Sequence, residues 1–154
     1  MNARPRRSIQ PIYFAPFVIL LFIILHFVFP IRMIFEFPFS LIGLAPVIVG
    51  LFINLQGTRE LQRALRESRT TDIENLKVLV TEGAFRYSRN PMYLGGIVLF
   101  FGLAILLGSL VSFVFPTIFF LLSHFLLIPS EEAQLETRFG KEYLDYMKRV
   151  RKWI

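Results

Sequence analysis

The sequence predicts an all-α membrane protein with about four transmembrane helices followed by an amphipathic helix at the C-terminus. Hydrophobic residues make up 55% of its 154 residues, 18 of which are Phe, and the mean hydropathy is +0.58. A soluble domain of this length carries a larger share of charged residues. Three stretches without Asp, Glu, Lys or Arg, residues 8–31, 37–58 and 91–130, reach the roughly 20 residues that a helix needs to cross a bilayer.

Four membrane spans follow from these stretches, because the third is about twice as long as a single helix needs. We divide it at a turn near Gly108 and Ser109, where small residues interrupt the apolar run. The predicted spans are residues 12–30, 38–55, 91–107 and 110–128. Residues 1–154 then form a single membrane domain, and His26, near the outer end of the first span, is expected to be packed or interfacial.

The basic residues predict the orientation in the membrane. Of the 17 Lys and Arg residues, 16 lie in residues 4–7, 59–89 and 138–152, which four spans place on one side. The positive-inside rule makes that side, with both termini, cytoplasmic. Acids are interleaved with these basic residues, so we expect contact with anionic lipid head groups and no nucleic acid. The chain has no Cys, which excludes disulfides, thiolate metal sites and a Cys nucleophile, and we predict no metal site.

Two polar segments accompany the spans. Residues 58–90 form a connector that is either a solvated link or the roof of a pocket at the membrane surface. Residues 130–154 are predicted to form the amphipathic C-terminal helix, because apolar residues recur along one face at steps of three or four. That stripe suits packing or contact with lipid head groups, and consists of Leu135, Phe139, Tyr143, Tyr146, Val150 and Trp153.

The two ends of the charge-free run, residues 91–130, meet on one side of the bilayer if the run folds into a hairpin. At its start, Asn90 suits the N-cap of a helix and Pro91 its first position. The free N–H groups and positive dipole end of that helix, with Arg86 and Arg89 upstream, predict a site for a carboxylate or a phosphate. Aromatic faces that can stack on a planar ring or meet a cation come from Tyr87 and Tyr93.

At the other end of the run, the fourth span is expected to end at Pro129, and Ser130 to cap the final helix. Glu131 and Glu132 then stabilise the first turn of that helix, or accept hydrogen bonds from ribose hydroxyls or an ammonium group. His124 lies seven residues before Glu131, on the same helical face and about 10 Å deeper in the membrane. It is either a packed neutral histidine or a functional group inside a span.

The predicted site suits a zwitterionic, nucleotide-like cofactor. It combines an anion clamp, formed by Arg86, Arg89 and the start of the helix, with aromatic faces and two carboxylates. S-adenosylmethionine has the matching groups: a carboxylate, an ammonium, a ribose, an adenine and a sulfonium cation. Such a cofactor would enter from the cytoplasm, while a hydrophobic or lipid-like acceptor would enter sideways from the bilayer.

A longer pattern covers residues 82–154, about half of the chain. It consists of Glu82-Gly83-Ala84-Phe85-Arg86-Tyr87-Ser88-Arg89-Asn90-Pro91-Met92-Tyr93-Leu94-Gly95, then Glu131-Glu132, then Leu135-Glu136-x-x-Phe139-Gly140-x-x-Tyr143-x-x-Tyr146-x-x-x-Val150-x-x-Trp153. These residues resemble the membrane methyltransferase family that includes isoprenylcysteine carboxyl methyltransferase and the phospholipid N-methyltransferases.

The resemblance implies that S-adenosylmethionine is the cofactor and that the C-terminal helix closes over it. The cofactor-binding residues that it implies are Arg86, Tyr87, Arg89, Asn90, Pro91, Tyr93, Leu94, Gly95, Glu131 and Glu132. Many members of the family have His where this chain has Asn90. Asn can still donate and accept hydrogen bonds, but a titrating role at this position is lost.

The implied reaction is an in-line methyl transfer to a carboxylate or an amine of an amphiphilic acceptor. A carboxylate needs no base, whereas an amine must lose a proton, for which His124 and Glu132 are the candidate catalytic residues. An NADPH-dependent membrane reductase of the sterol reductase type is an alternative, but the chain is short for that group. A non-enzymatic membrane protein whose anion clamp holds a lipid phosphate is the other alternative.

Overall fold

The computed structural model describes residues 33–154 together with Leu20 and Ile24. The rest of the first predicted span, with His26, and the N-terminus lie outside the described residues. Within residues 33–154 the chain is all-α, as predicted, with an isolated antiparallel bridge between Met33 and Ser109. The helices are α1 (Leu44–Glu67), α2 (Pro91–Leu107), α3 (Val114–Leu122), α4 (Ile128–Phe139) and α5 (Lys141–Arg149). Short 3-10 segments are Phe39–Gly43, Ile73–Asn75, Gly83–Arg86 and Leu110–Phe113.

Two continuous helical segments, Phe39–Glu67 and Leu110–Phe139, are long and apolar enough to cross a membrane. Most of their apolar side chains are exposed, including those of Phe52 and Leu126. A soluble protein would bury such helices in its core, so this exposed apolar surface fits contact with lipid. The apolar helix α2 is shorter, at 17 residues or roughly 26 Å. Its bounds are those that the sequence predicts.

α1 and α2 pack closely because glycines lie at their contact. A Cβ built on Gly50 would lie 2.6 Å from the carbonyl oxygen of Gly95. A Cβ built on Gly102 would lie 2.6 Å from the backbone nitrogen of Val47. Both distances are too short for non-bonded atoms, so the two backbones meet where larger residues cannot fit. Close approach through small residues is a usual way for membrane helices to associate.

Two polar side chains of α1 hold the first turn of α2. Asn54 Nδ2 donates to the carbonyl oxygen of Met92 at 3.0 Å, and Thr58 Oγ1 lies 3.7 Å from the Met92 sulfur. Such hydrogen bonds between helices are worth about 0.6 kcal/mol on average in a membrane. They fix the position of α2 next to the polar residues that precede it.

α2 ends at a left-handed glycine. Gly108 has φ +72°, and its N–H bonds back into the helix, which is a common way for a helix to end. The next helical segment begins at Leu110, so the turn predicted here is confirmed. The N–H groups of Ile34 and Phe35 donate to the Gly108 carbonyl oxygen at 2.6 and 3.1 Å. The segment before α1 therefore lies at the same end of the bundle as this turn.

The helix of the fourth predicted span does not end at Pro129. A π-helical segment, Ser123–Leu127, joins α3 to α4, so Ser130 lies inside the continuous helix Leu110–Phe139. Proline lacks an N–H and crowds the carbonyl four residues before it, which usually breaks a helix. A local π turn relieves this conflict in a membrane helix. The predictions of a helix end at Pro129 and a cap at Ser130 are therefore wrong.

The C-terminal segment forms two helices instead of the single helix predicted over residues 130–154. α4 and α5 are separated at Gly140, which has φ +51° and permits a sharp change of chain direction. α5 ends at Arg149, because Val150 is extended with φ −121°. Residues 150–154 therefore lie outside α5.

Most of the predicted apolar stripe packs in one cluster. Tyr143 and Tyr146 are buried against Leu79, which lies in the connector between α1 and α2. The stripe residues in or against this cluster are Leu135, Phe139, Tyr143, Tyr146 and Val150. Trp153 instead stacks on His124, since the helix ends before it. The connector is thus held against the C-terminal helices.

We expect Gly102→Ala to lower stability, because the added Cβ meets the backbone of α1. Overpacking of this kind costs about 1–3 kcal/mol, which the Tm of the purified protein in detergent will report. Gly96→Ala is the matched control on the same helix, since its Cβ would lie 3.4 Å from the Phe119 ring, near ordinary contact. Equal changes of Tm in the two variants would contradict the glycine contact.

Candidate functional site

The two ends of the apolar hairpin meet, as the sequence predicts. The Tyr93 hydroxyl, in the first turn of α2, donates to Glu131 Oε1 at 2.7 Å. Arg89 Nη2, just before that helix, lies 3.0 Å from Glu132 Oε1. Side chains from the two ends of residues 91–130 therefore build one polar cluster.

Arg89 and Glu132 form a largely buried ion pair. Their side chains are 9% and 15% exposed, and Lys152 Nζ lies 3.9 Å from the second carboxylate oxygen of Glu132. Attraction to two cations offsets the cost of removing the Glu132 charge from water. Glu132 is therefore an anionic anchor between the hairpin and the C-terminus.

The Arg89 guanidinium has spare hydrogen-bonding capacity. Its Nε and Nη1 atoms are buried and form no hydrogen bond within the part of the chain that the structure describes. A guanidinium presents its N–H groups in a planar fork that matches a carboxylate or a phosphate. Arg89 also lies next to the N-terminal end of α2, where the helix dipole favours an anion. These atoms can bind an anionic group.

Asn90 occupies the N-cap position of α2, but its side chain does not cap the helix. Asn90 Nδ2 donates instead to the carbonyl oxygen of Lys152 at 3.0 Å, and its own N–H donates to Ser88 Oγ at 3.1 Å. Ser88 Oγ also donates to the Lys152 carbonyl, at 3.3 Å, and the Arg89 N–H donates to the Arg151 carbonyl, at 3.0 Å. Asn90 therefore has the predicted N-cap position, but the predicted capping by its side chain is wrong: the amide bonds through Nδ2 to a distant carbonyl and makes no hydrogen bond to the helix.

His124 lies on the π-helical segment, and its ring contacts Phe120, Phe125 and Trp153. The Trp153 indole N–H donates to His124 Nδ1 at 3.1 Å. Because an indole can only donate, Nδ1 carries the lone pair, and in the neutral ring the hydrogen is on Nε2. His124 and Glu131 were predicted to share a helical face because they lie seven residues apart in a regular α-helix. The π turn changes the rotation per residue between them, so this reason no longer applies.

The other predicted cofactor residues differ in their surroundings. Arg86 and Tyr87 face outward, and Tyr87 is 76% exposed. Pro91 is buried at the first position of α2, and Leu94 is half-buried. Gly95 faces α1, where an added Cβ would lie 2.6 Å from a backbone nitrogen. The structure therefore places Gly95 in the helix contact and not in the polar cluster.

Two tyrosines of α5 border the polar cluster, a contact that the sequence pattern did not predict. Burial first, and then the Glu132 carboxylate, raise the pKa of Tyr143 to about 12. Burial also raises the pKa of Tyr146, whose hydroxyl donates to the Phe85 carbonyl at 2.7 Å. Both hydroxyls therefore remain protonated near neutral pH. Their apolar spacing indicated which face is buried, but it carried no signal for the polar partners of the hydroxyls.

Arg89→Gln is expected to destabilise the protein by about 3–5 kcal/mol, because it leaves the buried Glu132 charge without its main partner. Adding Glu132→Gln should recover part of this loss, and unfolding of the single and double variants in detergent measures the coupling. The control is Arg63→Gln with Glu67→Gln, an exposed pair at 2.9 Å. Its coupling should stay below about 1 kcal/mol. Equal coupling in the two pairs would contradict the buried ion pair.

Comparison with known proteins relates this geometry to a family. Residues 38–142 match the family described as phospholipid methyltransferase. The match covers more than half of the chain and includes Arg89, Glu131 and Glu132. No curated protein and no solved structure gives a significant match. The match favours the methyltransferase interpretation over the reductase and lipid-binding alternatives, and the chain belongs to the phospholipid methyltransferase family.

Proposed function

We propose that the protein transfers a methyl group from S-adenosylmethionine to a hydrophobic or lipid-like acceptor in the membrane. The buried Arg89 guanidinium carries this proposal, because two of its nitrogen atoms, Nε and Nη1, form no hydrogen bond among the described residues while Glu132 lies beside it. A cation with spare donors next to an anion complements the carboxylate and ammonium of an amino acid. S-adenosylmethionine is a methyl donor with such an amino-acid group, and family membership supplies the methyl transfer.

Four side chains would hold the cofactor. Arg89 would bind its carboxylate through Nε and Nη1, and Glu132 would accept hydrogen bonds from its ammonium. Glu131, oriented by the Tyr93 hydroxyl, would accept hydrogen bonds from the ribose. When bound, S-adenosylmethionine supplies an electrophilic methyl group on a sulfonium cation. Outer contacts are assigned to Arg86, Tyr87, Asn90, Pro91 and Leu94.

An aromatic wall extends from the polar cluster into the membrane and would line the acceptor site. The Tyr93 ring lies 6.4 Å from Phe119, whose ring meets Phe100 edge-on at 5.1 Å. Phe115 meets the same Phe100 ring edge-on at 4.9 Å. Such a wall excludes water and aligns an apolar chain, which favours a reaction that disperses charge.

The two candidate bases are already engaged, which favours a carboxylate acceptor. Glu132 contacts Arg89 and Lys152, and His124 Nδ1 accepts a hydrogen bond from Trp153. A carboxylate is deprotonated at neutral pH and needs no base, whereas an amine must first lose a proton. We therefore assign the isoprenylcysteine carboxyl methyltransferase type of reaction. An amine acceptor is the second candidate, with Glu132 or His124 released to take the proton.

The same proposal includes the arrangement in the membrane. Four spans place the polar cluster and both termini at the cytoplasmic face, where S-adenosylmethionine would enter. The whole chain is one membrane domain, and anionic lipid head groups contact its basic segments. The acceptor enters from the bilayer, so the two substrates approach from different phases.

Arg89→Gln and Glu131→Gln are expected to weaken binding of S-adenosylhomocysteine at least about 30-fold, the equivalent of losing a charged contact of about 2 kcal/mol. Isothermal titration in detergent measures the affinity, and Tm shows that each variant is folded. Arg63→Gln and Glu67→Gln are matched controls on an exposed pair and should bind normally. Unchanged affinity in both site variants would remove the site assignment.

We expect S-adenosylhomocysteine to form when the protein in vesicles meets S-adenosylmethionine and an amphiphile that ends in a carboxylate. An amphiphile of equal length that ends in a primary amine should react at least about tenfold more slowly at pH 7, since it is mostly protonated there. Mass spectrometry identifies the methylated product. Faster reaction of the amine would overturn the assignment of a carboxylate acceptor.

A further inference from the structure

The C-terminal tail, residues 150–154, lies across the candidate site. Its backbone accepts hydrogen bonds from the segment before α2, where Arg89 N–H bonds to Arg151 at 3.0 Å and Asn90 Nδ2 to Lys152 at 3.0 Å. The family match ends at residue 142, so it does not extend to the tail. The contacts of the tail therefore involve residues outside those that match the family.

Lys152 presents two groups to the site. Its carbonyl oxygen accepts hydrogen bonds from Asn90 and Ser88, at 3.0 and 3.3 Å. Its ammonium lies 3.9 Å from Glu132 Oε2. A carbonyl oxygen on one side and an ammonium on the other are the acceptor and the cation that the amino-acid group of S-adenosylmethionine would present. Lys152 thus contacts Glu132, to which the proposed function assigns the cofactor ammonium, and Asn90, which it assigns as an outer contact.

Trp153 fastens the tail to the other end of the hairpin. Its ring stacks on His124 with centroids 6.1 Å apart and lies 5.7 Å from Phe120. Its indole N–H donates to His124 Nδ1. The tail is therefore held at two places, by hydrogen bonds before α2 and by aromatic contacts on the helix that contains the π turn.

The Lys152 contact is the weaker of the two ion pairs at Glu132. Lys152 is 28% exposed and 3.9 Å from its partner oxygen, whereas Arg89 is 9% exposed and 3.0 Å away. Solvent screens a longer, more exposed pair more strongly, so an incoming ammonium can replace Lys152 while Arg89 keeps Glu132 in place.

We propose that Lys152 is a built-in competitor for the amino-acid subsite, and that the tail releases Glu132 before this end of the cofactor binds. The proposal rests on the proposed function, because it needs a ligand with an amino-acid group at Glu132. A ligand ammonium would occupy the Glu132 Oε2 oxygen that Lys152 Nζ contacts, because Arg89 already contacts Oε1, so ligand binding and the Lys152 contact exclude one another. Trp153, next in the chain, moves when the contact opens.

Lys152→Met tests this competition, since it keeps the side-chain length and removes the charge. Binding of S-adenosylhomocysteine should tighten about fivefold, the scale of a weak ion pair. Binding of 5′-methylthioadenosine, which lacks the amino-acid group, should not change. Lys148→Met is the matched control, because Lys148 is 75% exposed and pairs with Asp145 on α5. It should leave the affinity for both ligands unchanged.

Trp153 reports the tail independently of affinity, because it is the sole tryptophan of the chain. Acrylamide should quench its fluorescence more strongly in Lys152→Met than in the wild type. Saturating S-adenosylhomocysteine should increase quenching in the wild type as well. Lys148→Met should behave like the wild type.

The outcomes separate this inference from the proposed function. Equal or weaker binding of S-adenosylhomocysteine by Lys152→Met would overturn the competition. Lys152 would then either have no effect on the affinity or contribute to binding of the ligand. An equal gain with 5′-methylthioadenosine would also overturn it, since the effect would not involve the amino-acid subsite. Absence of S-adenosylhomocysteine binding in the wild type and every variant would instead contradict the proposed function on which the inference rests.

Discussion

The ion pair between Arg89 and Glu132 is the contact on which the candidate site depends. It joins Arg89, two residues before α2, to Glu132 on α4, across residues 91–130, which contain no Asp, Glu, Lys or Arg. Either charge, buried to this extent without its partner, would lower the free energy of unfolding by several kcal/mol. The ion pair therefore favours the arrangement in which the hairpin ends meet. The pair thereby brings Tyr93 and Glu131 within hydrogen-bonding distance of each other. Fold stability and site assembly have the same physical origin here.

The contact between α1 and α2 fixes the position of the helix next to that ion pair. Gly50 and Gly102 let the two backbones approach, and Asn54 donates to the Met92 carbonyl, one residue before Tyr93. A site for methyl transfer must hold its donor and acceptor in line, so a helix fixed along its length is a suitable base. The glycine contact therefore restricts the motion of the helix that carries Tyr93, a residue of the candidate site.

Much of the fold could be predicted because the signals are local. Pro91 begins α2 since proline suits the first helical position, and Gly108 ends it since glycine tolerates a left-handed conformation. The contacts of the candidate-site residues were predicted less completely. Asn90 is a good N-cap by preference, yet its amide bonds to the Lys152 carbonyl. Gly95 belongs to the motif, yet it packs on α1. These outcomes depend on segments far away in the chain, which a local pattern does not contain.

The all-α class, the bounds of α2, the turn at Gly108 and the meeting of the two hairpin ends could be predicted from the sequence alone. Apolar length, absence of charge and backbone preference decide these features, and each can be assessed from neighbouring residues. Tertiary structure decided the π turn before Pro129, the break at Gly140 and the course of the tail. The physical reason is that buried polar groups take whichever partner the fold brings near, and here the C-terminus supplies several of them.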